Sequence, residues 1–174
     1  HNSEMFDFFR NTIFGAAQAA KPVRAANTNT LDEVPDSSWV QNRHGKQRLT
    51  AKQLARGPNT MDGPSMDGPW IVVSTKGEGA SPGFRIRDAR SDEYLLKLDS
   101  AGYPEMASGA EVIATKFFYA VGYHVPENYL VYFDSGRLQL DPAAKTEPAG
   151  GRTRRMDAAD LNRILERSYR DSQG

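Results

Sequence analysis

The sequence predicts an α+β fold: a small antiparallel sheet packed by one central helix and preceded by an extended amino-terminal arm. Three observations predict it. Short β-rich runs separated by turn residues crowd into residues 70–98, an apolar-periodic segment follows at 105–121, and residues 1–69 carry no sustained period. At 174 residues and 39% hydrophobic content, the chain suits a modest core with long connections, and its 15 Gly and 10 Pro supply many turns.

Within the arm, Met5, Phe8, Phe9 and Ile13 give a helical spacing that predicts a short helix over Met5–Ala20, weakened by Gly15. Residues 21–42, with Pro22 and Pro35, read as irregular extended chain. The run Leu31–Trp39 is expected to act as a strap if Val34 and Trp39 anchor it, with Trp39 read as a packing residue. Thr50–Arg56 is a short helix with Thr50 as N-cap and Gln53 completing a capping box, stopped by Gly57-Pro58. Residues 57–69 are a turn-rich junction, so the expected organisation is an arm over 1–69, a body over 70–140 and a closing segment over 141–174.

The body opens with a strand at Trp70–Ser74, a glycine-bearing turn at Lys76–Gly83, a second strand at Phe84–Asp88 and a third at Tyr94–Leu98. Such tightly connected strands make an antiparallel meander. The helix Glu105–Val121 places Met106, Ala110, Ile113, Phe117 and Val121 on one stripe, widened by Ala114 and Phe118, with Gly122 as its C-cap. Tyr129–Phe133 reads as a fourth strand and Arg137–Leu140 as a short fifth. Residues 141–155 read as loop, and Ala158–Tyr169 as a final helix capped by Asp157 with Leu161, Ile164 and Leu165 on its apolar side.

Composition narrows function by exclusion. Lys plus Arg equals Asp plus Glu at 22 each, so net charge offers no reason to expect a nucleic-acid partner. The runs Arg43, Lys46, Arg48, Lys52, Arg56 and Arg152, Arg154, Arg155 read as solvated faces, with docking of an anionic substrate or partner as the alternative. With no cysteine, disulfides and thiolate chemistry are excluded. No stretch approaches 18 apolar residues, so no transmembrane segment is expected, and Phe6–Ala20 is not a complete signal peptide. His1, His44 and His124 form no spaced ligand set, so no metal site is expected from them.

The chemistry concentrates at Lys97. Alternation puts Leu95, Lys97 and Asp99 on the sheet face opposite Tyr94, Leu96 and Leu98. On that face Lys97 is either an exposed charge or a point charge lining a cleft closed by the 76–83 turn. Glu111, at the border of the helix stripe, is positioned to reach inward. Glu105, at the helix start, competes for that role, although a carboxylate there is also favoured by the helix dipole. The turn holds Lys76, Gly77, Gly79, Ser81 and Gly83. It matches no Walker-type or dinucleotide fingerprint, but its backbone amides and the Ser81 hydroxyl suit phosphate oxygens.

Tyr94-Leu-Leu-Lys-Leu-Asp99, Pro104-Glu-Met-Ala-Ser-Gly-Ala-Glu111, Phe117-Phe-Tyr-Ala-Val-Gly-Tyr-His-Val-Pro-Glu-Asn128 and Tyr129-Leu-Val-Tyr-Phe133 together resemble the amino-terminal lobe of HipA-type and related atypical kinases. More closely, Asn29-Thr-Leu-Asp-Glu-Val-Pro-Asp-Ser-Ser-Trp39 and Pro82-Gly-Phe-Arg-Ile-Arg-Asp88 are similar to runs in a poorly characterised bacterial group, many of whose members are secreted. The resemblance implies a kinase N-lobe-like body with Lys97 as the phosphate-binding lysine, Glu111 or Glu105 as its partner and the 76–83 turn over the nucleotide. It implies ATP with Mg²⁺ as ligand and a periplasmic or secreted bacterial setting, the compartment otherwise staying open. No His-x-Asp or Asp-Phe-Gly run follows, so turnover is expected only with a second lobe past Gly174. The alternative is a noncatalytic interaction subunit whose arm, with Phe6, Phe8, Phe9, Val34 and Trp39, docks on a protein partner.

Overall fold

The computed structural model describes residues 26, 28–76, 81–146 and 152–171. The chain divides into two compact units, residues 1–40 and 41–174. The helix expected over Met5–Ala20 lies outside the described residues.

In the first unit, Asn29 organises a turn. Its side-chain oxygen accepts from the Leu31 and Glu33 amides at 2.9 and 3.0 Å, while its side-chain nitrogen donates to Glu33 at 2.9 Å. Ser37 Oγ then accepts from the Trp39 and Val40 amides. Trp39 is 77% exposed and Val34 is exposed as well, which corrects the expectation that Trp39 is a packing residue. The run holds its shape through local polar turns, and these do not require its indole to be buried.

The second unit contains helix α1 (Ala51–Arg56), strands β1 (Trp70–Thr75), β2 (Gly83–Arg87) and β3 (Glu93–Lys97), helix α2 (Met106–Val121), strands β4 (Leu138–Thr146) and β5 (Arg154–Arg155), and helix α3 (Ala158–Leu165). The fold is α+β, a five-stranded and mostly antiparallel sheet with helices. The order across the sheet is β3-β2-β1-β4-β5. β1, β2 and β3 form the expected antiparallel meander, with Val72 opposite Ile86 and Phe84 opposite Leu96. β4 runs parallel to β1, Trp70 aligning with Leu138 and Val72 with Leu140, and β5 pairs antiparallel with its far end.

Two strand expectations need correction. Tyr129–Phe133 joins no ladder: both edges of β1 are occupied, by β2 and by β4, and the segment instead packs Val131 and Phe133 against the core. The last long strand runs to Thr146 rather than stopping at Leu140, so much of the expected loop is β4. Pro142 is tolerated there because the β1–β4 register shifts between Val72 and Ser74, and a residue without an amide hydrogen fits such an irregularity.

Trp70, Val72, Phe84, Ile86, Leu96, Leu138, Ala144, Met156 and Leu165 form the buried core, with Leu161 and Ile164 packed against it. The sheet is therefore covered by α3. The stripe predicted to pack α2 faces outward: Met106, Ile113, Phe117, Phe118 and Val121 are all exposed, Phe117 by 69%, while Thr115 is the one buried residue of that helix. A 3.6-residue period identifies a helix and its apolar side, but it does not say which surface that side meets.

Local capping follows the sequence closely. Thr50 and Gln53 form the reciprocal capping box of α1, and Gly122 ends α2 at φ 114°. Asp157 and Asp160 form a second box at α3, which ends at Leu165, four residues before the expected boundary. The stretch 57–69 lies inside the second unit and is tied to the sheet. The Ser65 amide donates to Asp88 at 2.7 Å, Arg90 to the Gly63 carbonyl at 2.6 Å, and the Trp70 indole to the Ser65 carbonyl at 2.7 Å. Three members of the basic runs are structural: Arg154, which pairs with Asp160, and Arg43 and Arg56. Arg43 donates to the Tyr119 and Tyr123 carbonyls at the end of α2 and stacks on the Tyr119 ring, and Arg56 donates to the Asn59 and Thr60 carbonyls.

Asp160 is buried beneath the Arg154 guanidinium, which donates to both carboxylate oxygens at 2.7 and 2.6 Å. These bonds, opposed by burial and aided by the Asp157 amide and the Arg154 and Arg163 charges, hold its pKa at about 2. Because the folded value lies below the unfolded one, the stabilisation is present above about pH 4 and is lost as pH falls towards 2. We expect denaturation midpoints to hold between pH 5 and 7 and drop below pH 4, Asp160 contributing on the order of 1–2 kcal/mol. Asp160→Asn is expected to flatten part of that acid dependence. An unchanged acid slope in the variant contradicts the assignment.

Candidate functional site

β3 ends at Lys97, which lies opposite Gly83 in the β2–β3 register. The Lys76 amide donates to the Gly83 carbonyl at 3.1 Å, and the Leu98 amide to the Pro82 carbonyl at 2.8 Å, so the ends of β1, β2 and β3 are drawn together. Gly83 is required by this closeness. A Cβ there would lie 2.3 Å from the Leu96 carbonyl oxygen, so even alanine forces the two strands apart.

From the helix side, α2 brings Glu111 to Lys97, and the two form a hydrogen-bonded ion pair, both side chains a little over one-third exposed. Placement of α2 depends on Asp99, two residues beyond Lys97. Its carboxylate accepts from the Glu105, Ala107 and Ser108 amides at 3.1, 3.0 and 2.9 Å and from the Ser108 hydroxyl at 2.6 Å. Burial pushes the Asp99 pKa up, but the Ser108 hydroxyl and these amides outweigh it and leave it lowered. An aspartate at the strand exit thus satisfies the orphan donors of the helix start and aligns the helix that carries Glu111.

Lys76 completes the cluster. Its ammonium donates to the Ser81 carbonyl at 3.0 Å and to the Ser81 hydroxyl at 2.8 Å. Its pKa is lowered, first by burial and then by the positive charge of Lys97, against a smaller raising effect of Glu111. The cluster thus holds two ammonium groups against one carboxylate, so it carries a net positive charge.

Of the residues expected at the site, Lys76, Ser81, Gly83, Lys97 and Glu111 come together. Gly77 and Gly79 lie outside the described residues. Glu105 does not pair with Lys97: it occupies the N-cap position of α2 in a left-handed conformation, φ 59°, and makes no side-chain cap bond. The choice left open between the two glutamates is settled geometrically for Glu111, one helical turn and a half further along. Asp99 was missed because it caps the helix from six residues before Glu105, beyond the adjacent position where a capping residue is sought. His44 accepts from the Leu49 amide at 3.0 Å and serves a turn. Among the described residues, no group of three or more His, Asp or Glu side chains is arranged to hold a metal ion, and no helix is long and apolar enough to cross a membrane.

No family model, curated protein or solved structure matches the chain. The class is therefore defined by fold and site alone: an α+β domain with a strand lysine paired to a helix glutamate beside a second lysine.

Proposed function

We propose that this chain is the nucleotide-binding lobe of a kinase-like phosphotransferase, catalytic only together with a second lobe. The observation that carries the reading is the Lys97–Glu111 ion pair beside Lys76. Glu111 holds the Lys97 ammonium at the mouth of the β1–β2 connection, where it meets phosphate oxygens as a point charge. Lys76 adds a second charge. ATP is the expected ligand. The carboxylates at the site are already engaged, Glu111 by Lys97 and Asp99 by the start of α2, so they do not make a Mg²⁺ site. The reading assigns the metal-holding and proton-accepting groups that phosphoryl transfer needs to the second lobe.

Calorimetric titration with MgATP tests this. The chain is expected to bind ATP weakly, and Lys97→Ala is expected to weaken it at least about tenfold, the loss of one charge-assisted phosphate contact. Glu111→Gln is expected to weaken it less, because the lysine keeps its charge but loses its tether. Equal affinity in the chain and Lys97→Ala removes Lys97 from the site.

One observation favours a second reading, a noncatalytic interaction subunit on the same scaffold. The apolar face of α2, with Met106, Ile113, Phe117 and Val121 exposed together, is larger than isolated surface residues would give, and such faces mark protein contacts. Absence of ATP binding in both proteins, with a soluble folded chain, selects that reading.

A further inference from the structure

Lys97 is one of several cations on its face of the sheet, and among the described residues three of the others form no ion pair. The pairing registers align Leu95 on β3, Arg85 on β2, Ser74 on β1, Lys145 on β4 and Arg155 on β5 in one row. Directly paired residues share a face, and Leu95 and Lys97, two apart, share it too. Arg85, Lys145 and Arg155 are exposed, and among the described residues none of them forms an ion pair. Arg87, on the same face, differs: it meets Asp141 at 3.2 Å. Like charges placed opposite each other, as Lys145 and Arg155 are, repel.

The residue between Arg85 and Lys145 is Ser74, 6% exposed, and its buried hydroxyl has no hydrogen-bond partner. Buried hydroxyl groups are normally satisfied. A concavity of about 710 Å³ lined by Pro142, Ala143, Lys145, Thr153, Arg154 and Arg155 opens beside the row. We infer a second anion site here, separate from Lys97, in which a phosphate-type oxyanion of a small polyphosphate sits over Ser74 between Arg85 and Lys145. The strands carrying those two cations are separated by about 10 Å, two strand spacings. Long side chains from both sides close on an oxyanion over that distance, and the anion supplies the acceptor that the Ser74 hydroxyl lacks. Arg155 prolongs the row, which favours a ligand with more than one phosphate.

The experiment is a calorimetric titration of the intact chain with inorganic tripolyphosphate, and separately with ATP, at low and at physiological salt. Arg85→Gln/Lys145→Gln alters only exposed side chains and is expected to weaken tripolyphosphate at least about tenfold. Ser74→Ala is expected to weaken it about threefold, and Lys97→Ala to leave it within about twofold. Unchanged affinity in Arg85→Gln/Lys145→Gln overturns the site. So does an equal loss in a control pair, Arg48→Gln/Lys52→Gln, because binding would then follow net charge alone. If tripolyphosphate is lost in the Arg85/Lys145 variant while ATP affinity is the same with and without Lys97, the row stands and the Lys97 reading falls. Loss of ATP alone in Lys97→Ala, with tripolyphosphate intact, supports both.

Discussion

Trp70→Ala is expected to destabilise the second unit by about 3–5 kcal/mol, the cost of emptying a fully buried aromatic site in a core that relaxes only in part. Trp70 is 0% exposed and opens β1 at the point where three parts of the chain meet. Its indole N–H donates to the Ser65 carbonyl at 2.7 Å, its ring lies 4.9 Å from that of Phe133, and the Arg137 guanidinium stacks 5.7 Å from its centre. Arg137 in turn donates to the Met66 and Gly68 carbonyls, both at 2.7 Å. Truncation therefore removes packing and also leaves a carbonyl and a guanidinium without the surface that orders them. Urea denaturation measures the loss. Fluorescence reports it independently, because the chain has 2 Trp and Trp39 is exposed, so blue-shifted emission belongs to Trp70 and should vanish in the variant. A loss below about 1 kcal/mol would mean that the 57–69 segment and Phe133 do not depend on this ring.

Asp88→Ala is expected to cost about 3 kcal/mol, most of it from donors left without an acceptor. The Asp88 side chain is 0% exposed. It accepts from the Ser65 amide at 2.7 Å, the Arg90 amide at 2.9 Å and the Asp92 amide at 3.0 Å, and it pairs with the Arg90 guanidinium at 3.1 Å. Burial alone would raise its pKa, but the Ser65, Asp92 and Arg90 amides and the Arg90 charge outweigh burial and lower it. One carboxylate thus closes the β2–β3 turn and fastens the preceding segment to it. Asp88→Asn keeps an acceptor oxygen and is expected to lose roughly half as much. Equal losses in the two variants would point to the charge as the decisive element. Because Asp88, like Asp160, is depressed in the folded state, its contribution also disappears as pH falls below about 4.

Much of the local structure was legible in the sequence. Thr50 with Gln53, Asp157 and Gly122 all terminate helices as read, because capping is decided within four residues. The three-strand meander was legible from alternation and turn residues, and Lys97 from its position on a strand, with Glu111 and Glu105 both open as its partner. The meeting of Lys97 with Glu111 needed a third residue, Asp99, to become geometry. The parity that put Lys97 opposite Leu96 also holds, since Leu96 is buried and the lysine faces the other side.

What the sequence by itself determined about this protein is the type and the ends of most elements. Those rest on interactions between near neighbours along the chain. Only the tertiary structure decided that β4 lies parallel to β1, that 129–133 packs without a ladder, and that α3 covers the core while the apolar face of α2 is exposed. An apolar stripe or an extended run states a need for burial or pairing. Which edge and which face meet that need depends on the elements competing for them, and that competition is settled in three dimensions.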